Sequence, residues 1–121
     1  RMQIRGVVIY GIKEARTLGY PTANLVYEAS EEAEPGVWTS WVTIDDVRLQ
    51  GLAVIGMWRL AGEVPSAEIH ILDFDQDIYG ETIEVTLGER LRPLETFESV
   101  EHLKAQIEQD VKRARERFLS E

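Results

Sequence analysis

Apolar and polar residues alternate through most of this chain, and a period of two residues is typical of half-buried β-strands. The clearest stretch is 37–44, where Trp38, Ser40, Val42 and Ile44 share one side. Residues 57–66 show no period and are predicted to be irregular. Alternation, or a short β-branched and aromatic run, predicts strands at residues 5–10, 25–27, 37–44, 47–56, 68–74, 82–87 and 89–92.

Short polar or glycine-containing segments separate these strands. Asp45-Asp46 predicts a tight hairpin turn, because Asp tolerates the left-handed backbone region better than most residues. Gly88 predicts a turn between the last two strands. The connections are therefore short, as in hairpins.

The hydrophobic spacing changes to a helical one near the end of the chain. Six apolar residues recur at intervals of three or four, a stripe that predicts one helix over about residues 100–119. Ser99 is the expected N-cap, and Glu108 and Lys112 form a favourable i,i+4 pair. The stripe consists of Val100, Leu103, Ile107, Val111, Ala114 and Phe118.

About six short strands followed by one amphipathic helix predict a mainly β protein, a closed or partly closed antiparallel barrel. The helix needs an apolar surface, and only the outside of the barrel can provide it. We expect residues 1–121 to form a single domain, because 121 residues can bury their own core.

Composition narrows the classes of function. The chain has no cysteine, which excludes disulfides and thiolate metal sites. The net charge of −9 disfavours nucleic-acid binding. We find no apolar run long enough to cross a membrane and no signal-peptide core after Arg1. We therefore expect a cytoplasmic protein without a membrane partner. We also expect a monomer.

The segment 16–24, Arg-Thr-Leu-Gly-Tyr-Pro-Thr-Ala-Asn, reads as a turn. Gly19 permits a positive φ and Pro21 pushes the residue before it towards extended geometry. Thr22 and Asn24 are two residues apart, so their polar tips would point to one side. Such a turn can hold a phosphate or a hydrated cation, although Gly and Pro also punctuate ordinary loops.

Standard nucleotide and metal motifs are absent from the sequence. There is no Gly-x-x-x-x-Gly-Lys-Ser/Thr loop and no Gly-x-Gly-x-x-Gly. The acids of residues 73–84 partly follow the spacing of an EF-hand, but Ile78 occupies the position that requires Gly, so we do not expect calcium there.

Four blocks resemble the riboflavin kinase family, including the kinase half of bacterial FAD synthetases. They keep the family's order and together span residues 7–118. The blocks are Leu-Gly-Tyr-Pro-Thr-Ala-Asn at 18–24, Glu-Ile-His-Ile-Leu-Asp-Phe at 68–74 with Asp-Ile-Tyr-Gly at 77–80, Leu-Arg-Pro at 91–93 with Phe-Glu-Ser at 97–99, and the helix with Asp110, Ala114 and Arg115.

The resemblance implies a six-stranded Greek-key barrel with a C-terminal helix, and transfer of the γ-phosphate of ATP to riboflavin to give FMN. By its ordinary pKa, His70 is a competing base, and the other interpretation is a packing or orienting residue. The resemblance implies Glu68 as catalytic base. It further implies Mg²⁺ as cofactor. Its remaining implied sites are Thr22 and Asn24 for metal and phosphates; Gly11, Arg16, Ile71, Asp73 and Tyr79 for the nucleotide; and Arg92, Glu95 and Phe97 for the flavin.

Some positions depart from the family pattern or allow a second interpretation. Ala15 replaces a flap glycine, and Met57-Trp58-Arg59-Leu60 replaces an Asn/Pro-Thr-Phe-like segment. Phe97 could stack on a flavin or staple the first helical turn. A barrel that binds a flavin or nucleotide with weak or no turnover is therefore the alternative function, and an acidic interaction domain is a third.

Overall fold

The computed structural model describes residues 2–9, 22–28, 33–60, 64–74 and 76–121. Six antiparallel strands close into a barrel in the order β1-β2-β5-β4-β3-β6. The strands are β1 (Gln3–Ile9), β2 (Thr22–Glu28), β3 (Gly36–Ile44), β4 (Val47–Leu60), β5 (Val64–Ile71) and β6 (Thr82–Arg92), and α1 (Val100–Leu119) follows them.

The strand order contains a Greek key and confirms the expected fold. Strands β3, β4 and β5 are joined in sequence, and β6 returns to pair with β3 on the far side from β4. Each of the six strands has a paired neighbour on both sides, which closes the sheet. The barrel interior is filled by apolar side chains from all six strands, among them Leu25, Val42, Ile69, Ile83 and Val85.

The helix packs on the outside of the barrel, as the stripe predicts. A second apolar cluster joins Ala114 and Phe118 of α1 to Val37, Leu52 and Leu91. The rings of Phe118 and Trp41 meet edge to face, with centroids 5.1 Å apart. Val100, the first residue of the stripe, is exposed.

Local signals at the turn and the helix start are confirmed. Asp45 and Asp46 both have positive φ, 48° and 66°, between β3 and β4. The Ser99 hydroxyl accepts a hydrogen bond from the backbone N–H of His102 at 3.1 Å, so Ser99 is the N-cap.

The prediction that residues 57–66 are irregular is wrong for 57–60, which continue β4, and for 64–66, which begin β5; residues 61–63 lie outside the described residues. Strand β4 continues to Leu60, and Arg59 pairs with Pro65 after a register shift that follows Ile55. Gly56, with φ of 92°, lies at this shift. The shift interrupts the alternation of apolar and polar residues, so the alternation does not indicate this part of the strand.

The predicted turn at Gly88 is also wrong, because β6 runs unbroken through it. Two β6 residues oppose Thr39 there, since Trp38 pairs with Arg90 and Ser40 with Leu87. This is a β-bulge, and its glycine accommodates the Thr39 side chain. The strand predicted at 68–74 ends at Ile71, and Asp73 follows with φ of 57°.

Candidate active site

Strands β2 and β5 bring four polar residues together. Their antiparallel register places Thr22 opposite His70 and Asn24 opposite Glu68. The alternating residues Ala23, Leu25, Ala67 and Ile69 belong to the barrel core, so the four polar side chains share the other face. The two sequence blocks, separated by more than 40 residues, therefore meet as one cluster.

His70 lies at the centre of this cluster. Its Nδ1 is 3.4 Å from the Thr22 hydroxyl oxygen, and its Nε2 is 3.9 Å from a carboxylate oxygen of Glu68. Burial lowers the pKa of His70 to about 4, a shift that the negative charge of Asp110 opposes in part. The imidazole is therefore neutral at pH 7 and a weaker base than an ordinary histidine, which favours the orienting role over that of the base.

A cavity of about 550 Å³ opens beside Glu68 and His70. Its floor is the outer face of the barrel, with Val37, Leu52 and Val54, and its other wall is residues 92–100 together with α1. The wall is mostly apolar with a few charged groups, which is typical of a site for an aromatic ligand.

The predicted flavin residues Arg92, Glu95 and Phe97 all line this cavity. The Arg92 guanidinium carbon lies 5.8 Å from the centroid of the Phe97 ring. Glu68 faces the same cavity from β5. The structure thus brings the predicted base and the predicted flavin residues to a single cavity.

Three residues predicted for the nucleotide, Ile71, Asp73 and Tyr79, do not line this cavity. Ile71 is buried in the barrel core, and Tyr79 is 54% exposed. Asp73 accepts two hydrogen bonds from Arg115 of α1, which hold the pKa of that carboxyl below its usual range. None of the three is among the cavity-lining residues, and Gly11 and Arg16 lie outside the described residues.

Asp110 is a site residue for which sequence reasoning assigned no role. It is 3% exposed, lines the cavity and pairs with Arg92. It falls on the helical stripe between Ile107 and Ala114, and a carboxylate on a buried face requires a partner. The position of Asp110 on the apolar stripe indicates a buried carboxylate that needs a partner. The sequence alone could not identify Arg92 as that partner.

The oxygen donors around Thr22 suit a hard cation. Mg²⁺ prefers hydroxyl, amide and carboxylate oxygens and retains waters and substrate phosphates as ligands, so few protein donors are needed. Thr22, Asn24 and Glu68 provide such oxygens at adjacent positions of two paired strands. Within the described ranges, no group of three or more His, Asp or Glu forms an all-protein metal cage.

The family model and the curated relative that match this chain identify the same family. The family model for riboflavin kinase, Flavokinase, matches residues 1–118. The bifunctional riboflavin kinase/FMN adenylyltransferase of Escherichia coli is 38% identical over 117 residues, or 95% of this chain. The chain spans only 37% of that relative's length.

Two crystal structures have the same fold. A protein described as a macrolide-efflux protein from Streptococcus pneumoniae has a TM-score of 0.84 and 36% identity, covering 93% of this chain and 38% of that one. A riboflavin kinase from Trypanosoma brucei has a TM-score of 0.73 and 23% identity, covering 97% of this chain and 76% of that one.

Across the described part of the chain, no helix has the length and apolar character needed to span a membrane.

Proposed function

Because this chain belongs to the riboflavin kinase family, we propose that it transfers the γ-phosphate of ATP to the ribityl 5′-hydroxyl of riboflavin, giving FMN and ADP. The observation that carries the proposal is the position of Glu68. Its carboxylate lines the cavity shared with Arg92 and Phe97, and its strand neighbour across the sheet is Asn24 of β2, a residue that the sequence predicts to lie in a turn.

Glu68 is the proposed catalytic base. The ribityl hydroxyl loses its proton as its oxygen attacks the γ-phosphorus, and a carboxylate within hydrogen-bond reach orients that hydroxyl and accepts the proton. His70, close to both Glu68 and Thr22, is proposed to orient these side chains.

Thr22 and Asn24 are the proposed holders of Mg²⁺ and the nucleotide phosphates. When bound, the cation neutralises the charge that develops on the phosphoryl oxygens. Both residues lie on β2, whose backbone pairs with β5 at both positions and with β1 at Asn24, so the backbone beneath their side chains is held in place. Rigid placement matters because phosphoryl transfer depends mainly on positioning.

The flavin ring is proposed to occupy the apolar cavity, with Arg92, Glu95 and Phe97 at its wall. The cavity volume of about 550 Å³ lies in the range of small-molecule sites. Gly11, Arg16, Ile71, Asp73 and Tyr79 are proposed to lie around the nucleotide. We further propose that the protein acts in the cytoplasm as a monomer, without nucleic-acid or membrane partners.

A direct assay tests this function. Purified protein is incubated with riboflavin, ATP and Mg²⁺, and FMN is separated by chromatography. We expect FMN that requires both ATP and the metal. Riboflavin fluorescence quenched by the protein without FMN formation would contradict the kinase and support the binding module.

A further inference from the structure

A buried ion pair ties the end of β6 to the middle of α1. Arg92 donates from Nε and Nη2 to the two oxygens of Asp110, each bond 2.9 Å long. The side chains are only 12% and 4% exposed. Gln106, one turn earlier on α1, donates a third bond of 2.9 Å to Asp110. The carboxylate is therefore fully held and cannot rotate freely.

Stability alone does not account for this pair. Removing two charges from water is unfavourable, and apolar residues can usually replace a buried pair without loss. The helix is already attached by Ala114 and Phe118, which pack against Val37, Leu52 and Leu91. A second pair between the same two elements, Glu89 with Arg117, is half exposed and lies away from the cavity. The buried pair is the one placed at the cavity wall.

The bonds of Arg92 leave part of its guanidinium available. A guanidinium has five N–H donors in a rigid plane. Two are directed at Asp110, and Nη1 donates to the carbonyl oxygen of Pro93 at 3.0 Å. Among the described residues, these bonds leave one N–H on Nη1 and one on Nη2 uncommitted.

We propose that Asp110, supported by Gln106, is a positioning residue that orients Arg92 to donate two hydrogen bonds to acceptor atoms on one edge of the isoalloxazine ring. This rests on the proposed function, which supplies riboflavin as the ligand. Asp110 does not touch the reacting atoms; it acts through Arg92.

The charge balance of the cavity favours a neutral ring over a phosphate as the partner of Arg92. Asp110 neutralises the guanidinium, so Arg92 acts as a directional donor rather than as a net positive charge. The cavity wall also carries Glu68, Glu95 and Glu98. These acids would repel an anion, whereas the flavin ring offers neutral carbonyl oxygens and ring nitrogens.

The test compares four variants by riboflavin fluorescence quenching and by steady-state kinetics. Asp110→Asn keeps the size of the side chain but loses one acceptor and the charge. We expect it to raise the riboflavin Kd and KM about tenfold and to leave the KM for ATP unchanged. Arg92→Lys, which keeps the charge without the planar fork, is expected to match it. Gln106→Ala is expected to raise both constants roughly threefold.

The matched control is Glu89→Gln, which removes the exposed pair between the same elements. It is expected to leave the riboflavin Kd and KM unchanged. If Asp110 only anchored the helix, Asp110→Asn would lower Tm but leave riboflavin binding unchanged, and this would overturn the proposal. If Asp110→Asn does not fold, Gln106→Ala still tests the proposal. Unchanged riboflavin binding in Gln106→Ala would also contradict the positioning role of Asp110.

The two proposals fail in different ways. FMN production with riboflavin constants insensitive to Asp110 and Gln106 would refute the positioning role and keep the kinase. Riboflavin binding that depends on Asp110, without FMN production, would refute the kinase and keep the positioning role. Absence of riboflavin binding by the unaltered protein would refute both.

Discussion

The Nε2 atom of His70 lies 3.9 Å from a carboxylate oxygen of Glu68, and both side chains are more than 90% buried. The two residues share one face of β5, two positions apart. Burial lowers the pKa of the imidazole and weakens it as a base, so in the proposed mechanism the carboxylate accepts the proton and the imidazole orients the carboxylate.

Glu68→Gln should remove most FMN production while retaining substrate binding. The amide keeps the shape of the side chain but cannot accept the ribityl proton, so we expect kcat to fall by roughly 100- to 10,000-fold. The measurement is FMN formation together with riboflavin fluorescence quenching. Unchanged turnover with normal quenching would exclude Glu68 as the base.

His70 should make stability depend on pH in the acidic range. Its pKa is lowered from 6.5 to about 4 in the folded state, so the unfolded chain takes up a proton that the folded chain does not. The stability that neutral His70 contributes is complete above about pH 6.5 and is lost as the pH falls towards 4. The free energy of unfolding should decrease by up to ~3 kcal/mol over this range. Denaturant unfolding in metal-free buffer at several pH values measures this.

The comparison for that pH effect uses both histidines. His70→Gln should flatten the slope between pH 4 and 6.5, whereas His102→Gln, at an exposed helix position, should keep the slope of the unaltered protein. Equal slopes in the two variants would show that His70 is not buried as described.

Thr39→Val should destabilise the barrel by about 1–2 kcal/mol. The Thr39 hydroxyl accepts a hydrogen bond of 2.9 Å from the backbone N–H of Glu89 at the bulge, and Val has a similar shape but no acceptor. The control is the next residue, Ser40, whose buried hydroxyl has no hydrogen-bond partner within the described ranges. Ser40→Ala should leave the free energy of unfolding unchanged or raise it.

Gly88→Ala should destabilise the protein through a steric clash with one side chain. An added Cβ would lie 2.4 Å from the Thr39 hydroxyl oxygen, so we expect a loss of about 2–3 kcal/mol. In a Thr39→Ala background the nearest remaining atom of that residue is its backbone oxygen, 3.4 Å away. There the same change should cost less than about 1 kcal/mol, and equal losses in both backgrounds would contradict the bulge packing.

Several parts of the fold could be predicted because their causes are local. The alternation over 37–44, the Asp45-Asp46 turn, the Ser99 cap and the apolar stripe each reflect short-range geometry that a few adjacent residues determine. The errors near Gly56 and at Gly88 have one cause. At Gly56 and Gly88 a glycine marks a bulge within a continuing strand, and only the neighbouring strand distinguishes a bulge from a turn.

The candidate site, like the fold, could be predicted from the sequence only in part. From the sequence, resemblance alone selected Glu68, Arg92, Glu95 and Phe97, and the structure brings them to one cavity. It does not bring Ile71, Asp73 and Tyr79 there, so their nucleotide role stays a prediction. Asp110 became interpretable only beside its partner Arg92.

By itself the sequence determined the family, the mainly β class, the helix and the identity of the polar residues, because residue chemistry and local period are properties of the chain. Only the tertiary structure decided that β2 pairs with β5, which sets Thr22 beside His70 and Asn24 beside Glu68. It also decided that α1 returns to place Asp110 against Arg92. These are contacts between distant segments, and barrel closure and apolar packing select them, not the local preferences of either segment.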